Sequence, residues 1–261
     1  MSEAVTYGRY LELEALLDLQ HPRDEVEHDE MLFIVIHQVY ELWFKVMLHE
    51  LDYCRALLRG GDLPRALHTL QRILTVLKVL VAQLDILETM TPTEFLTFRE
   101  RLEKASGFQS DQFRQLEFAL GRKSRQAIER FDEGTRARAA LEARWSAPTL
   151  WDAVLAYLSG EGYAVPASAL ERDVTASVEP SDEVQSVLID LYRGDARNAP
   201  LCERLVDLDE GLQEWRYRHV KMVERTIGAK PGTGGSAGSG YLRTTLNTPL
   251  FPDLWEIRAR L

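Results

Sequence analysis

The sequence predicts an all-α chain folded as one helical bundle, and three observations carry that expectation. Apolar residues recur at steps of three and four over most of the chain, the spacing that puts them on one face of a helix. Period-two alternation and β-branched clusters between turns, the signature of strands, are missing. Glycine and proline fall at short intervals and separate about seven helical stretches by short connections, none of which resembles an interdomain linker. A chain of 261 residues, 45% hydrophobic and 28% charged, is long enough to bury a core without disulfides or metals.

Charge and cysteine content narrow the function classes. With 31 Lys and Arg against 41 Asp and Glu the formal charge is −10, which repels a phosphate backbone and argues against nucleic acid as a partner. Cys54 and Cys202 form no CxxC pair, so neither a disulfide framework nor a thiolate zinc site is available, and a reducing cytoplasm fits. Met1 to Tyr10 lacks the apolar run of an export signal, and the longest uncharged apolar stretch, from Met31 to Ile36 and a little beyond, is too short to span a bilayer. A soluble, cytoplasmic protein without membrane contact is expected.

Taken in chain order, Met31 to Leu48 comes first, with 14 apolar residues of 18, an excess that predicts a helix buried on nearly all sides. Its polar members His37, Glu41 and Lys45 step by four, with Gln38 beside them and Phe33 one turn before His37. A buried imidazole needs a partner, because an unsatisfied polar group costs about 1–3 kcal/mol; a ligand in a cavity or a neighbouring helix would each supply one. Leu67, Leu70, Leu74, Leu77, Val81 and Leu84 then mark a long packed helix, after a break at Arg59 to Pro64. Following a second break at Thr89 to Pro92, Thr91-Pro92-Thr93-Glu94 opens a helix by hydroxyl cap, early proline and early carboxylate. Phe95, Arg99 and Leu102 share one face of it. An arginine so bracketed suits capture of a single carboxylate, although a solvated arginine has the same pattern. Ser106-Gly107-Phe108 is expected to end that helix, and further breaks fall at Gly121, Gly160 to Pro166 and Glu179 to Ser181.

Trp215, Arg216, Tyr217, Arg218 and His219 lie near the end of a helical segment beginning around Cys202. Histidine beside arginines suits a haem, with imidazole as iron ligand and guanidinium groups on the propionates, but it is equally the basic last turn of a helix. Residues 228–240, GAKPGTGGSAGSG, hold six glycines and two serines and predict a mobile loop. Gly232, Gly234 and Ala237 formally satisfy the dinucleotide pattern, yet no strand precedes them. A lid over a ligand, with Thr233 as its first hydrogen-bonding side chain, and an inconsequential surface insertion both fit.

These clusters, in this order, resemble the tryptophan 2,3-dioxygenase family over nearly the whole chain. The motifs are Thr6 to Leu11, HDEMLFIVIHQVYELWFK from His28 to Lys45, LETMTPTEFLTFR from Leu87 to Arg99, SGFQS from Ser106 to Ser110, WRYRH from Trp215 to His219 and GTGGSAG from Gly232 to Gly238. The resemblance implies one haem b per subunit with His219 as axial iron ligand, and His37 accepting the indole N–H of L-tryptophan or a close analogue. It implies that Phe33, Phe95 and Leu102 pack on the indole, that Arg99 pairs with the carboxylate, that Thr233 contacts the ammonium group, and that Ser106 and Gly107 lie near haem and substrate. It further implies that Tyr7, Tyr10 and Leu11, within an N-terminal segment 1–27, reach a neighbouring subunit's pocket in a homotetramer built as a dimer of dimers. The activity implied is cleavage of the indole C2–C3 bond with O₂ to give N-formylkynurenine. Pro231 and Ala237 depart from the family pattern in the expected lid, and Phe95 lacks the hydroxyl some members carry there. The competing readings are a monooxygenase on the same scaffold yielding a 2-oxindole, a helical haem sensor without turnover, and a coiled-coil interaction protein suggested by the leucine steps.

Overall fold

A computed structural model of the chain describes residues 4–23, 26–228, 230, 232 and 239–261. Among them there is no strand, and the fold is all-α. In order come the short α1 (Tyr7–Tyr10) and α2 (Leu13–Leu17), then α3 (His28–Arg59), α4 (Leu63–Leu87), α5 (Pro92–Arg99), α6 (Asp111–Leu120), α7 (Arg125–Ile128), α8 (Arg136–Trp145) and α9 (Leu150–Gly160). They are followed by α10 (Ala167–Leu170), α11 (Asp182–Gly194), α12 (Ala199–Ile227), α13 (Ser239–Arg243) and α14 (Pro252–Glu256).

Local signals explain most boundaries. The α3–α4 break is the RGGDLP turn, with Asp62 accepting from the backbone of Arg65 and proline in the first turn of α4. Thr91 and Glu94 close a capping box at the start of α5. Gly121 ends α6 at φ 116°, a backbone that side chains rarely adopt, and a Cβ there would come within 2.8 Å of Val178. Two breaks carry no such glycine signal in the sequence reading: Thr149 caps α9 in a box with Asp152, and Asp195 and Asn198 turn the chain into α12.

The core runs along α3, α4 and α12, whose buried leucines include Leu51, Leu70, Leu77, Leu84, Leu205 and Leu212, with α6 and α9 packed on α3 and α11 packed against α14. Asp209, fully buried on α12, accepts from the amides of Leu250 and Phe251 and from the Trp255 indole, tying the C-terminal segment to that helix. Arg218 bonds Asp85 at 2.5 Å and lies 3.5 Å from Glu88, which pins α12 to α4.

Two expectations need correction. The helix over Met31 to Leu48 is not buried on nearly all sides, because Met31, Val35 and Leu42 are 43%, 37% and 47% exposed. Hydropathy records a preference for leaving water and does not say which chain provides the cover. By length and composition this one helix, at 32 residues, could cross a bilayer, a test the uncharged run alone did not reveal. Its C-terminal half is packed into the core, with Met47, Leu51, Cys54 and Leu58 at 1% exposure or less. The helix with Arg99 also ends earlier than expected. α5 stops at that residue, a 3₁₀ turn takes Glu100–Leu102, and Ser106 caps a separate turn over Gly107–Gln109 through its box with Gln109.

Candidate active site

One cavity of about 280 Å³ gathers residues from α3, α4, α5, α6, α12 and α13. His37, Phe33, Phe95, Arg99, Leu102, Ser106, Gly107 and His219 all line it. Chain segments remote in sequence therefore meet at one place, beside Glu41, Phe44, Phe113, Arg114, Glu117, Trp215 and Arg216. Among the described residues no group of acidic, histidine or cysteine side chains is arranged to hold a bare metal ion.

The two histidines are held differently. His37 Nδ1 lies 2.7 Å from the carbonyl oxygen of Phe33, one turn earlier on α3. A carbonyl only accepts, so Nδ1 carries the proton, and the Nε2 of the neutral ring presents its lone pair as an acceptor. The Phe33 ring packs on it at 4.1 Å between centroids, and Phe95 and Phe98 continue the apolar wall at 5.8 and 5.6 Å from Phe33. His37 is solvent-accessible on the side that lines the cavity, and the protein packed around it lowers its pKa by desolvation, opposed by the Phe33 carbonyl and the charge of Glu41.

His219, on α12, stacks parallel on Trp215 one turn earlier, 5.3 Å between centroids with 2° between planes. Among the described residues no hydrogen bond reaches either of its ring nitrogens. Burial, with a smaller contribution from His37, pushes its pKa down to about 4, so the ring is neutral near pH 7 and offers a lone pair. Trp215 is fixed in turn by Phe113 at 5.0 Å, Tyr40 at 6.3 Å and Phe44 at 6.5 Å.

Charge in the cavity is concentrated on α6 and α12. Arg216 Nη2 donates to Glu117 Oε1 at 3.0 Å, and Arg114 pairs with the other oxygen of the same carboxylate. All three are nearly buried, and Arg114 lies over the rings of Phe108 and Phe113. One carboxylate between two guanidinium groups leaves positive charge facing the cavity, which favours an anionic ligand. Of the arginines flanking His219, only Arg216 lines the cavity; Arg218 is turned toward Asp85 and Glu88. Sequence reading missed Arg114 and Glu117. Their signal was modest: a charged pair three apart amid Phe113, Leu116 and Leu120, on the helix directly after SGFQS.

Three expected residues are not in this cavity. Tyr7 and Tyr10, both 76% exposed, and Leu11, 40% exposed, belong to a segment with no buried residue in α1 or α2. Thr233 lies outside the described residues, as do Pro231 and Ala237, although Gly232 beside them borders the cavity. Lys45 and Gln38 do not line the cavity, and Gln38 bonds Gln20 and the Leu19 carbonyl.

The sequence pattern of a family described as tryptophan 2,3-dioxygenase matches residues 1–142 and 161–261. The chain is 58% identical over 262 residues to the tryptophan 2,3-dioxygenase of Herpetosiphon aurantiacus, covering 100% of both proteins. Against the protein of that name from Anaeromyxobacter sp. it is 57% identical over 260 residues, covering 100% of this chain and 97% of the relative. Against that of Caulobacter vibrioides it is 44% identical over 264 residues, covering 100% of both.

Proposed function

The chain belongs to the tryptophan 2,3-dioxygenase family, and from that premise we propose that it is a haem-dependent enzyme opening the indole ring of L-tryptophan with O₂ to N-formylkynurenine. The observation that carries the reading is the single cavity joining a neutral His219 without a hydrogen-bond partner among the described residues to a His37 whose free nitrogen is an acceptor. Two neutral imidazoles on opposite walls, an apolar lining and excess guanidinium charge fit a haem with a substrate beside it, and they do not fit a bare cation. His219 would hold one haem b per subunit, with Arg114 and Arg216 receiving its propionates and Ser106 and Gly107 alongside. When bound, ferrous haem would supply the O₂ chemistry, in which both oxygen atoms enter the product and the iron undergoes no net change of oxidation state.

The remaining work falls to the side chains. The indole ring packs on Phe33, Phe95 and Leu102, which also keep water out. Its N–H donates to His37 Nε2, and this sets which indole edge is presented for reaction. His37 thus orients, and a neutral acceptor suffices for that; no proton need be removed. Arg99 takes the carboxylate, without the help of a hydroxyl at Phe95, and Thr233 takes the ammonium group. Tyr7, Tyr10 and Leu11 would complete the pocket of a neighbouring subunit, a role supported by their exposure on a segment that buries nothing in its own chain. The uncovered apolar face of α3 supports assembly with further copies of the chain. The homotetramer, a dimer of dimers, follows from the family resemblance, and the free, buried Cys54 and Cys202 fit work in a reducing cytoplasm.

Turnover under ¹⁸O₂ followed by mass spectrometry tests the reading. Two labelled atoms in an opened ring are expected. One labelled atom on an intact ring identifies the monooxygenase, and tryptophan that neither reacts nor perturbs the Soret band identifies a carrier or sensor.

A further inference from the structure

A second cavity, of about 250 Å³, lies away from the histidines between α9, α10, the chain of residues 172–181, α11 and Asp253 of α14. Its floor is apolar: Trp151, Leu155 and Val184 line it and are each 2% exposed. Part of that floor, Trp151 and Leu155, comes from the stretch between residues 142 and 161 that the family pattern does not match.

The unusual member is Asp253, 1% exposed. Its Oδ1 accepts from the Ser181 amide at 2.7 Å and from Gln185 Nε2 at 3.1 Å. Among the described residues no donor reaches Oδ2. Oδ2 is not fully occluded, so its unused acceptor opens on the cavity, where a carboxylate without a counter-charge favours a cationic donor. The one cation in the lining does not provide relief. Arg172 spends its guanidinium on both oxygens of Asp152, at 2.5 and 2.9 Å, and on the carbonyls of Asp173 and Ala176. Further negative charge surrounds the site, from Asp173 and Glu179 at the lining and from Glu256 and Asp182 beside Asp253. The field therefore favours a cation and opposes a ligand carboxylate.

We propose that this cavity binds small primary amines bearing an apolar group and no carboxylate, with the ammonium on Asp253 Oδ2 and the apolar part against Trp151, Leu155 and Val184. The ligand class differs from that of the histidine cavity, where Arg99 suits an amino-acid carboxylate. The site stands on its own geometry, whatever reaction the first cavity performs.

Titration calorimetry of the full-length protein with benzylamine tests this, with benzyl alcohol as the neutral isostere and L-phenylalanine as the amine that carries a carboxylate. Asp253→Asn keeps the Oδ1 acceptor while removing the charge, and Ala176→Trp fills the mouth from an exposed position. Benzylamine should bind at least tenfold more tightly than either comparison compound, and each variant should weaken it at least tenfold. Absence of benzylamine binding, equal binding of the alcohol, or a loss below tenfold in the variants would overturn the proposal. Should Asp253→Asn lose its helical circular dichroism, Ala176→Trp alone decides, since Ala176 is an exposed residue of the lining and no part of the core.

Discussion

The cavity has two aromatic walls built on different logic. Around His37, the ring is tethered to the Phe33 carbonyl of its own helix and flanked by Phe33, Phe95 and Phe98. Around His219, no hydrogen bond among the described residues fixes the ring; it is positioned by face-to-face stacking on Trp215, which Phe113, Tyr40 and Phe44 hold in turn. A tether to a carbonyl determines the tautomer and leaves one acceptor. Packing alone fixes the plane of the ring and leaves its lone pair for a ligand. The same residue type thus serves recognition on one wall and ligation on the other, and the neighbours decide which.

Substitutions sharpen this contrast. The largest effect on turnover is expected from His37→Ala, which should keep haem yet lower kcat/KM about a hundredfold, as misplacement of a bound substrate by an ångström does. Loss of haem from that variant would erase the distinction between the walls. Arg99→Ala should chiefly raise KM for tryptophan, about tenfold, because a charge-assisted contact made equally in ground and transition states affects binding more than kcat. An unchanged KM would remove the carboxylate from that wall. Thr91→Ala should lower unfolding stability by about 1 kcal/mol in urea titrations, by opening the capping box of the helix that carries Phe95 and Arg99. A null result there would mean that α5 is held by packing alone.

The smallest expected change is in the pH profile. Burial holds the His37 pKa below the ordinary histidine value, so the neutral acceptor persists as pH falls through about 6.5, and kcat/KM should decline only below that. A decline centred at or above 6.5 would show a ring in contact with bulk water.

Local features were legible in the sequence because their causes are local. The RGGDLP turn, the TPTE cap and the leucine steps of α4 all sit where spacing put them, since a cap or a turn needs only its neighbours. The meeting of His37 with His219 was implied by the family resemblance and by no spacing. The Glu117–Arg216 pair was not foreseen at all, because partners 99 residues apart leave no periodic trace. Coverage of α3 was misjudged for a related reason: Met31, Val35 and Leu42 are apolar, but the described residues of the chain cover them only in part. The ending of α5 at Arg99 depended on a 3₁₀ turn that continues helical spacing through Leu102 while changing the hydrogen bonding.

The division between the walls is tested most directly by optical titration of haem into apoprotein carrying either His219→Gly or His37→Gly, with and without imidazole. The account predicts that His219→Gly fails to form the holoprotein spectrum until imidazole is added, whereas His37→Gly forms it unaided. Full haem uptake by His219→Gly without imidazole, or a need for imidazole in His37→Gly, would contradict it.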